Sequence, residues 1–331
     1  MKKLINDPDN IVEELIDGFV LTNIRKVKRI SKKVVARIDA PIKGKVTIII
    51  GGGAGHEPLF LEYIGKGVAD AAAHGEVFTA PTPDTILDAI KSADGGDGVI
   101  LLYNNYEGDV LNFDMAQEMA REDGIKVDTV LITDEISSAP KERLADRRGT
   151  TADRLVIKIG GGAAESGNDF DTVVRILKKA IYNSRSLGVS LSACTVPGTG
   201  LPTFDFEEGK MEFGMGVHGE AGARRVDLMT ADATTERLLT AIVEDLPYIK
   251  GDEVIALVNS YGSTTRMEMF IIMRRIHSFL AEKGISVYAS ELGEFATVQE
   301  MAGISITLLK LDEELKKYYD APADSPGFIK Y

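Results

Sequence analysis

The chain has a single cysteine, Cys194, so no disulfide can close within it, and no CxxC or zinc-ligand spacing occurs. Such cysteine usage fits a reducing compartment, and the cytoplasm is the expected location. No lysine- and arginine-rich run appears, and the formal net charge is −13. A nucleic-acid binder shows a basic face, so that class is set aside. No apolar stretch approaches the roughly 18 residues of a membrane span. The start, MKKLINDPDN, turns polar before the apolar core of a signal peptide could form. Histidine is scarce, at four in 331 residues. No Walker lysine, no obvious magnesium-binding acidic cluster, no internal repeat and no low-complexity segment is visible.

What remains is an ordinary globular composition, 44% apolar and 27% charged. At about 150 residues per domain this length suggests two domains. The first half alternates strand and helix signals. KVTIII (45–50), GVILLY (98–103) and KVDTVLIT (126–133) read as buried strands. TPDTILDAIKSADGG (82–96) reads as a helix with Thr82 as N-cap and Pro83 at its first position, and FDMAQEMAREDG (113–124) as a second helix. Such alternation predicts an α/β domain with a mostly parallel sheet. Residues 134–150 read as a long polar loop, followed by helices over about 151–166 and 170–187. The second half differs. Residues 188–196, 210–219, 253–260, 286–290 and 304–311 are extended, with helices over about 234–246 and 264–284. The expected division is 1–185 for the first domain and 186–331 for the second, with the tail APADSPGFIKY as a surface or interface arm.

Three stretches carry candidate chemistry. IIIGGGAGHEP (48–58) runs a strand directly into glycines, where backbone amides can approach a ligand unhindered by Cβ atoms. The stretch is neither GxGxxG nor GxxxxGK[ST], so it is not a P-loop. The competing reading is a tight turn with His56 capping the next helix. YNNYEGDVLNFD (103–114) ends another strand. Its Asp109, beside Gly108, reads either as a general base at a sheet edge or as an Asx-turn or cap. MEFGMGVHGEAG (211–222) sets His218 among four glycines, either as a turn histidine or as a catalytic group that a small ligand can reach. Spacing alone does not show whether the three converge. His74 reads as a turn or packing residue, His277 as surface or interface, and Cys194 as a core thiol. The glycines of IKIGGGAAESG (157–167) fit either a cleft or close packing at a helix start. The methionines of RMEMFIIM fit a buried helix face.

Together GGGAGHEP, EVFTAPTPDTI, NNYEGDVLNF, the RRG at 147–149, LSACTVPGTG, MEFGMGVHGEAG and ISITLLKL resemble one family, over about residues 3 to 320. It is the dihydroxyacetone-binding subunit of phosphotransferase-system-dependent dihydroxyacetone kinases, a module that also forms the front of the ATP-dependent enzymes. The resemblance implies a three-layer α/β domain with a smaller α+β domain, and a homodimer. It implies that His218 adds to the ketone carbonyl as a hemiaminal, that His56 and Asp109 serve as the acid–base pair at the hydroxyl to be phosphorylated, and that Gly53, with Ala54, Gly55 and position 104, contacts substrate. No cofactor or metal is expected on this chain. ADP and magnesium are expected on a partner subunit that a phosphocarrier protein rephosphorylates, since no nucleotide motif is visible here and the helical nucleotide domain of the ATP-dependent form is not expected. Neither nucleic acid nor membrane is an expected partner.

Several positions depart from the family pattern. Asn104 stands where lysine is usual, Ala54 where serine is common and Ala221 where proline is common. NSYGSTTRMEMF (259–270) and GEFATVQEMAG (293–303) also differ from the usual forms. The alternatives are a kinase subunit for another short ketose, or a non-catalytic paralogue that binds the ketose and acts as a transcriptional coactivator. A nucleotide-binding oxidoreductase is disfavoured by the glycine spacing.

Overall fold

A computed structural model describes residues 3–214, 216, 222 and 224–331. The chain divides into two compact units, each built from non-contiguous segments. The first comprises 3–132, 153–180 and 314–331, and the second 133–152 and 181–313. The chain thus crosses between units near 132, 152, 180 and 313, whereas the single expected cut at 185 marks only one crossing.

The first unit opens with α1 (Ile11–Thr22), then β1 (Val27–Ser31), β2 (Val34–Arg37), β3 (Thr47–Ala54), β4 (Ala71–Val77), α2 (Pro83–Ala93), β5 (Val99–Asn104), α3 (Glu107–Glu122) and β6 (Val127–Ile132). After the excursion into the second unit, α4 (Asp153–Glu165) and α5 (Phe170–Tyr182) follow. The sheet order is β1-β2-β4-β3-β5-β6. β4, β3, β5 and β6 pair in parallel, and β1 and β2 add antiparallel at the edge. Strand side chains alternate between faces. Ile49, Leu101 and Tyr103 pack with Ile86 and Ile90 of α2 and Phe113 and Ala116 of α3. Ile48 faces the other way, onto Gly160 of α4, giving three layers. Thr82 caps α2 through its side-chain oxygen and Pro83 opens the helix, as expected.

The glycines at 160–162 lie inside α4, not at its start, and they serve packing. An added Cβ would fall 2.3 Å from Leu177 at Gly160, 2.3 Å from the Val68 backbone at Gly161 and 2.5 Å from the Tyr318 carbonyl at Gly162. Lys158, wholly buried in the same helix, donates to that carbonyl at 2.7 Å.

The second unit contains β7 (Ser184–Ser190), β8 (Lys210–Phe213), β9 (Arg224–Asp227), α6 (Ala231–Asp245), β10 (Glu253–Ser260), α7 (Arg266–Glu282), β11 (Ser286–Gly293) and β12 (Gly303–Lys310). Its sheet order is β11-β10-β12-β7-β8-β9, antiparallel except for the β10–β11 pair. One face carries Val254, Ala256, Val258, Ile306 and Leu308 against Leu238 and Ile242 of α6 and Met269, Met273 and Ile276 of α7. The opposite face carries buried Ile255, Leu257 and Leu309 together with a chain of buried hydroxyls, in which Thr307 Oγ1 lies 2.7 Å from Ser186 Oγ and 2.8 Å from Thr151 Oγ1, and Ser305 donates to Thr151 at 3.0 Å. The long loop at 134–150 contains a short 3-10 helix over Lys141–Asp146.

The tail returns to the first unit as α8 (Glu313–Asp320) and a small hairpin, β13 (Ala323–Asp324) with β14 (Ile329–Lys330). It is docked on that unit. Lys66 and Asp324 exchange backbone bonds at 3.1 and 2.9 Å, and Ser325, fully buried, donates to the Glu62 carbonyl at 2.8 Å.

Candidate functional site

β3 ends in four small residues because its neighbours occupy the space that side chains would fill. A Cβ on Gly51 would meet the Ala73 carbonyl oxygen at 2.4 Å, one on Gly52 the Phe60 ring at 2.6 Å, and one on Gly53 the Thr79 nitrogen at 2.7 Å. Gly55 has φ +99° and lies against Phe78, whose ring would be 2.9 Å from an added Cβ. The Ala54 carbonyl accepts from Phe78 N at 2.9 Å. The Gly55 amide donates to Glu57 Oε1 at 3.0 Å, so that amide is already engaged within the protein. Close packing therefore accounts for these glycines locally.

His56 is buried at the end of this run, its ring centroid 5.0 Å from that of Phe78. The reading of His56 as a helix cap fails. The next helical segment is a 3-10 turn at Leu61–Tyr63, preceded by Phe60 and without a side-chain cap. Phe78 itself has φ +58°, a left-handed conformation that costs a non-glycine residue about 1–2 kcal/mol. Nothing in the sequence marks it, nor Glu57, whose carboxyl burial pushes above its ordinary value. Glu57 also borders a groove of about 490 Å³, lined by Leu15, Gly18 and Phe19 of α1 with Pro58 and Leu61. Neither His56 nor Asp109 lines that groove.

Asp109 is not in a turn. Helix α3 starts at Glu107, six residues before its expected start, and places Asp109 in its first turn. There a carboxylate faces the unpaired amides and the positive end of the helix dipole. Asp109 is buried, and its Oδ1 lies 3.8 Å from the Cβ position of Gly52. His56 and Asp109 thus follow the carboxyl ends of the adjacent parallel strands β3 and β5, where α/β sheets form their sites.

Asn104 closes β5 and donates through Nδ2 to Asp153 Oδ2 at 2.8 Å. An ionised carboxylate only accepts, which fixes the amide's orientation and turns Oδ1 the other way. That Oδ1 is buried and has no hydrogen-bond partner. Asp153, on the first turn of α4, is a partner that the sequence reading did not single out.

In the second unit, the RRG stretch is an anchoring element. Arg147, fully buried, forks onto Asp245 at 2.8 and 2.6 Å. Arg148 Nη2 donates to Glu135 Oε2 and to the Gly214 carbonyl, both at 3.1 Å. Gly214 ends the outgoing side of the β8–β9 hairpin. His218 lies between Gly214 and Gly222, outside the described residues.

The lesser candidates resolve simply. His74 is buried within β4, a packing residue and not a turn; burial lowers its pKa to about 4, and its Nε2 has no partner. His277 lies on α7 with its Nε2 2.8 Å from Ser290 Oγ at the surface. Cys194 is buried as expected, but beyond the end of β7 rather than within a strand. Among the described residues, no group of three or more metal-ligating side chains is assembled, and no helix is long and apolar enough to cross a membrane.

Comparison with known proteins adds to this geometry. The Dak1 domain family model matches residues 17–327. The chain is 43% identical over 330 residues to the Listeria innocua "PTS-dependent dihydroxyacetone kinase 2, dihydroxyacetone-binding subunit DhaK", covering 99% of each. It is 39% identical to the L-erythrulose kinase of Pectobacterium atrosepticum, spanning 56% of that protein. Among solved structures, the dihydroxyacetone kinase of C. freundii superposes with a TM-score of 0.88 at 32% identity, over 99% of this chain and 60% of that one. The dihydroxyacetone kinase operon co-activator Dha-DhaQ superposes with a TM-score of 0.90 at 28% identity, over 96% of this chain and 98% of that one.

Proposed function

This chain belongs to the Dak1 domain family, and from that premise we propose that it is the ketose-holding subunit of a phosphotransferase-system-dependent dihydroxyacetone kinase. The observation that carries the reading is the pairing of His56 and Asp109 at neighbouring strand ends of the first unit, in a chain similar along its whole length to a dihydroxyacetone-binding subunit.

The chemistry follows from the residue types. A neutral imidazole is a competent nucleophile. The lone pair of a His218 ring nitrogen attacks the ketone carbon, and the carbonyl π pair moves onto oxygen. The proton on the other ring nitrogen is lost as the alkoxide gains one, leaving a neutral hemiaminal. A three-carbon ligand offers little surface, so a covalent bond holds it where noncovalent contacts would be weak. Glycerol, which lacks the carbonyl, is rejected. Asp109, with His56 as the other half of the acid–base pair, takes the proton from the terminal hydroxyl, whose oxygen attacks the transferring phosphoryl group. We assign ADP and magnesium to a partner subunit, which a phosphocarrier renews. The chain itself acts as a homodimer in the cytoplasm. Gly53 and Ala54 border the substrate through their backbone, with Gly55 shaping the turn.

Asn104 favours a second substrate. Its oriented Oδ1 can accept a hydrogen bond from a substrate hydroxyl, where a lysine ammonium would donate one to it. A longer ketose such as erythrulose supplies an additional hydroxyl, in keeping with the similarity to an erythrulose kinase. The test is phosphoryl transfer with the cognate ADP-bearing subunit and phosphocarrier, with dihydroxyacetone and both erythrulose enantiomers as substrates. Formation of a ketose phosphate supports the reading. Ketose binding without turnover, together with tight binding to a transcription factor, would instead assign the coactivator role of its structural neighbour.

A further inference from the structure

We propose that Glu212 is a positioning residue that fixes the returning foot of the segment carrying His218. The proposal rests on the reading of His218 as the ketose anchor. Glu212, on β8, is 7% exposed. Its Oε1 accepts from the Gly222 amide at 2.7 Å, and its Oε2 accepts from Arg225 Nε at 3.0 Å and Nη2 at 2.8 Å. One carboxylate therefore holds the backbone at Gly222 and is itself held by the facing residue of β9. Position 222 requires glycine for this approach, since a Cβ there would lie 2.7 Å from Glu212 Cγ and 2.6 Å from the Phe213 carbonyl.

The outgoing foot is tied independently. Gly214 has φ +71°, and its amide donates to the Gly188 carbonyl at 2.9 Å. Its carbonyl accepts from Arg148 Nη2 at 3.1 Å and from Ser137 Oγ at 3.2 Å. Glu135 in turn holds both of those donors, Arg148 at 3.1 Å and the Ser137 hydroxyl at 2.5 Å. Gly214 and Gly222, the described residues on either side of His218, are therefore each held by a charged side chain. Addition to a carbonyl needs the nucleophile about 3–3.5 Å from carbon and correctly aimed, and a displacement of about 1 Å costs on the order of 100-fold in rate. A foot set by one buried carboxylate is where such a displacement would arise.

The test follows carbonyl-13C dihydroxyacetone by NMR with wild type, E212A, E212Q and R225Q. The expected result is that E212A keeps its thermal midpoint within a few degrees, yet forms the tetrahedral adduct about 10- to 100-fold more slowly. E212Q retains an acceptor for Gly222 and recovers most of that rate. The Gly222 amide exchanges faster in E212A and is protected in E212Q. R225Q, which leaves the Gly222 bond in place, loses less than E212A. Adduct formation in E212A at the wild-type rate overturns the proposal, and so does E212Q as slow as E212A with its Gly222 amide protected. Should E212A unfold, E212Q and R225Q carry the same comparison. Absence of adduct in wild type overturns the ketose reading itself, which separates the two failures.

Discussion

The two units build their candidate elements by different means. In the first, the edge after β3 is shaped by volume: Phe60, Phe78 and the β4 backbone fill the places where Gly51, Gly52, Gly53 and Gly55 lack side chains. In the second, the hairpin of β8 and β9 is fixed by polar ties from Glu212, Arg148, Ser137 and Glu135. A packed edge resists displacement everywhere at once, because interiors are dense and transmit strain. A polar tie fixes one foot, and a single substitution can loosen it with the core intact. Under the proposed function, the acid–base pair belongs to the packed edge, and the segment that carries the nucleophile starts and ends at the polar ties.

The largest expected effect sharpens this comparison on the packed side. Asp109→Ala should lower the rate of phosphoryl transfer about 10²- to 10⁴-fold, the range for a lost general base, while costing only about 1 kcal/mol of stability, the value of a first-turn carboxylate, as read from the urea midpoint. Equal loss of stability and rate would make Asp109 a structural residue of α3.

A pH dependence of stability should come next. His74 has a folded pKa of about 4, below the ordinary 6.5, because burial disfavours its cation. Between those values the unfolded chain binds more protons than the folded one. Stability is therefore unaffected by this group above pH 6.5 and falls as the pH drops from 6.5 to about 4, by a total of about 3 kcal/mol. Urea denaturation from pH 4 to 7 should show this slope for wild type and lose it in His74→Gln.

Gly52→Ala tests the packing directly. Its methyl group would fall on the Phe60 ring, an overpacking that costs about 1–3 kcal/mol. Thermal unfolding of G52A beside E212A breaks the contrast between the units if the second loses as much as the first. The smallest effect is expected at Ser190, whose buried hydroxyl on the second sheet has no partner. Ser190→Ala should be neutral or stabilising by up to about 1 kcal/mol, read from the denaturant midpoint. A clear destabilisation would mean that the hydroxyl is satisfied in solution.

Much of this arrangement is legible from residues alone, and the failures have local causes. EVIALVNS reads as a strand and forms β10 over the same residues, 253–260, because its β-branched and apolar run is flanked by turn residues. β4 is missed, since AAAHGEV has little β-propensity and is a strand only because β2 and β3 flank it. SRSLGVS, read mostly as the end of a helix, is β7, where pairing to β12 overrides its weak local signal. The early start of α3 escapes notice because Tyr106 offers no side-chain cap and Gly108 sits in the first turn. The interleaved units are invisible to any scan that looks for a single boundary. At the site, the glycine run marks a special place, but a glycine needed by a ligand and one needed by a neighbouring ring look alike in sequence. Asp153 carries no motif, and Glu212 lies inside MEFGMGVHGEAG without standing out there, so only their partners in space reveal them.

The central claim is that His218 holds the ketose covalently. The direct measurement is carbon NMR of carbonyl-13C dihydroxyacetone with wild type and with His218→Ala. Passage of the ketone signal into a protein-bound tetrahedral carbon in wild type, and its absence in the variant, is the predicted result. A ketone signal unchanged by wild type, or a tetrahedral carbon that persists without the imidazole, would contradict it.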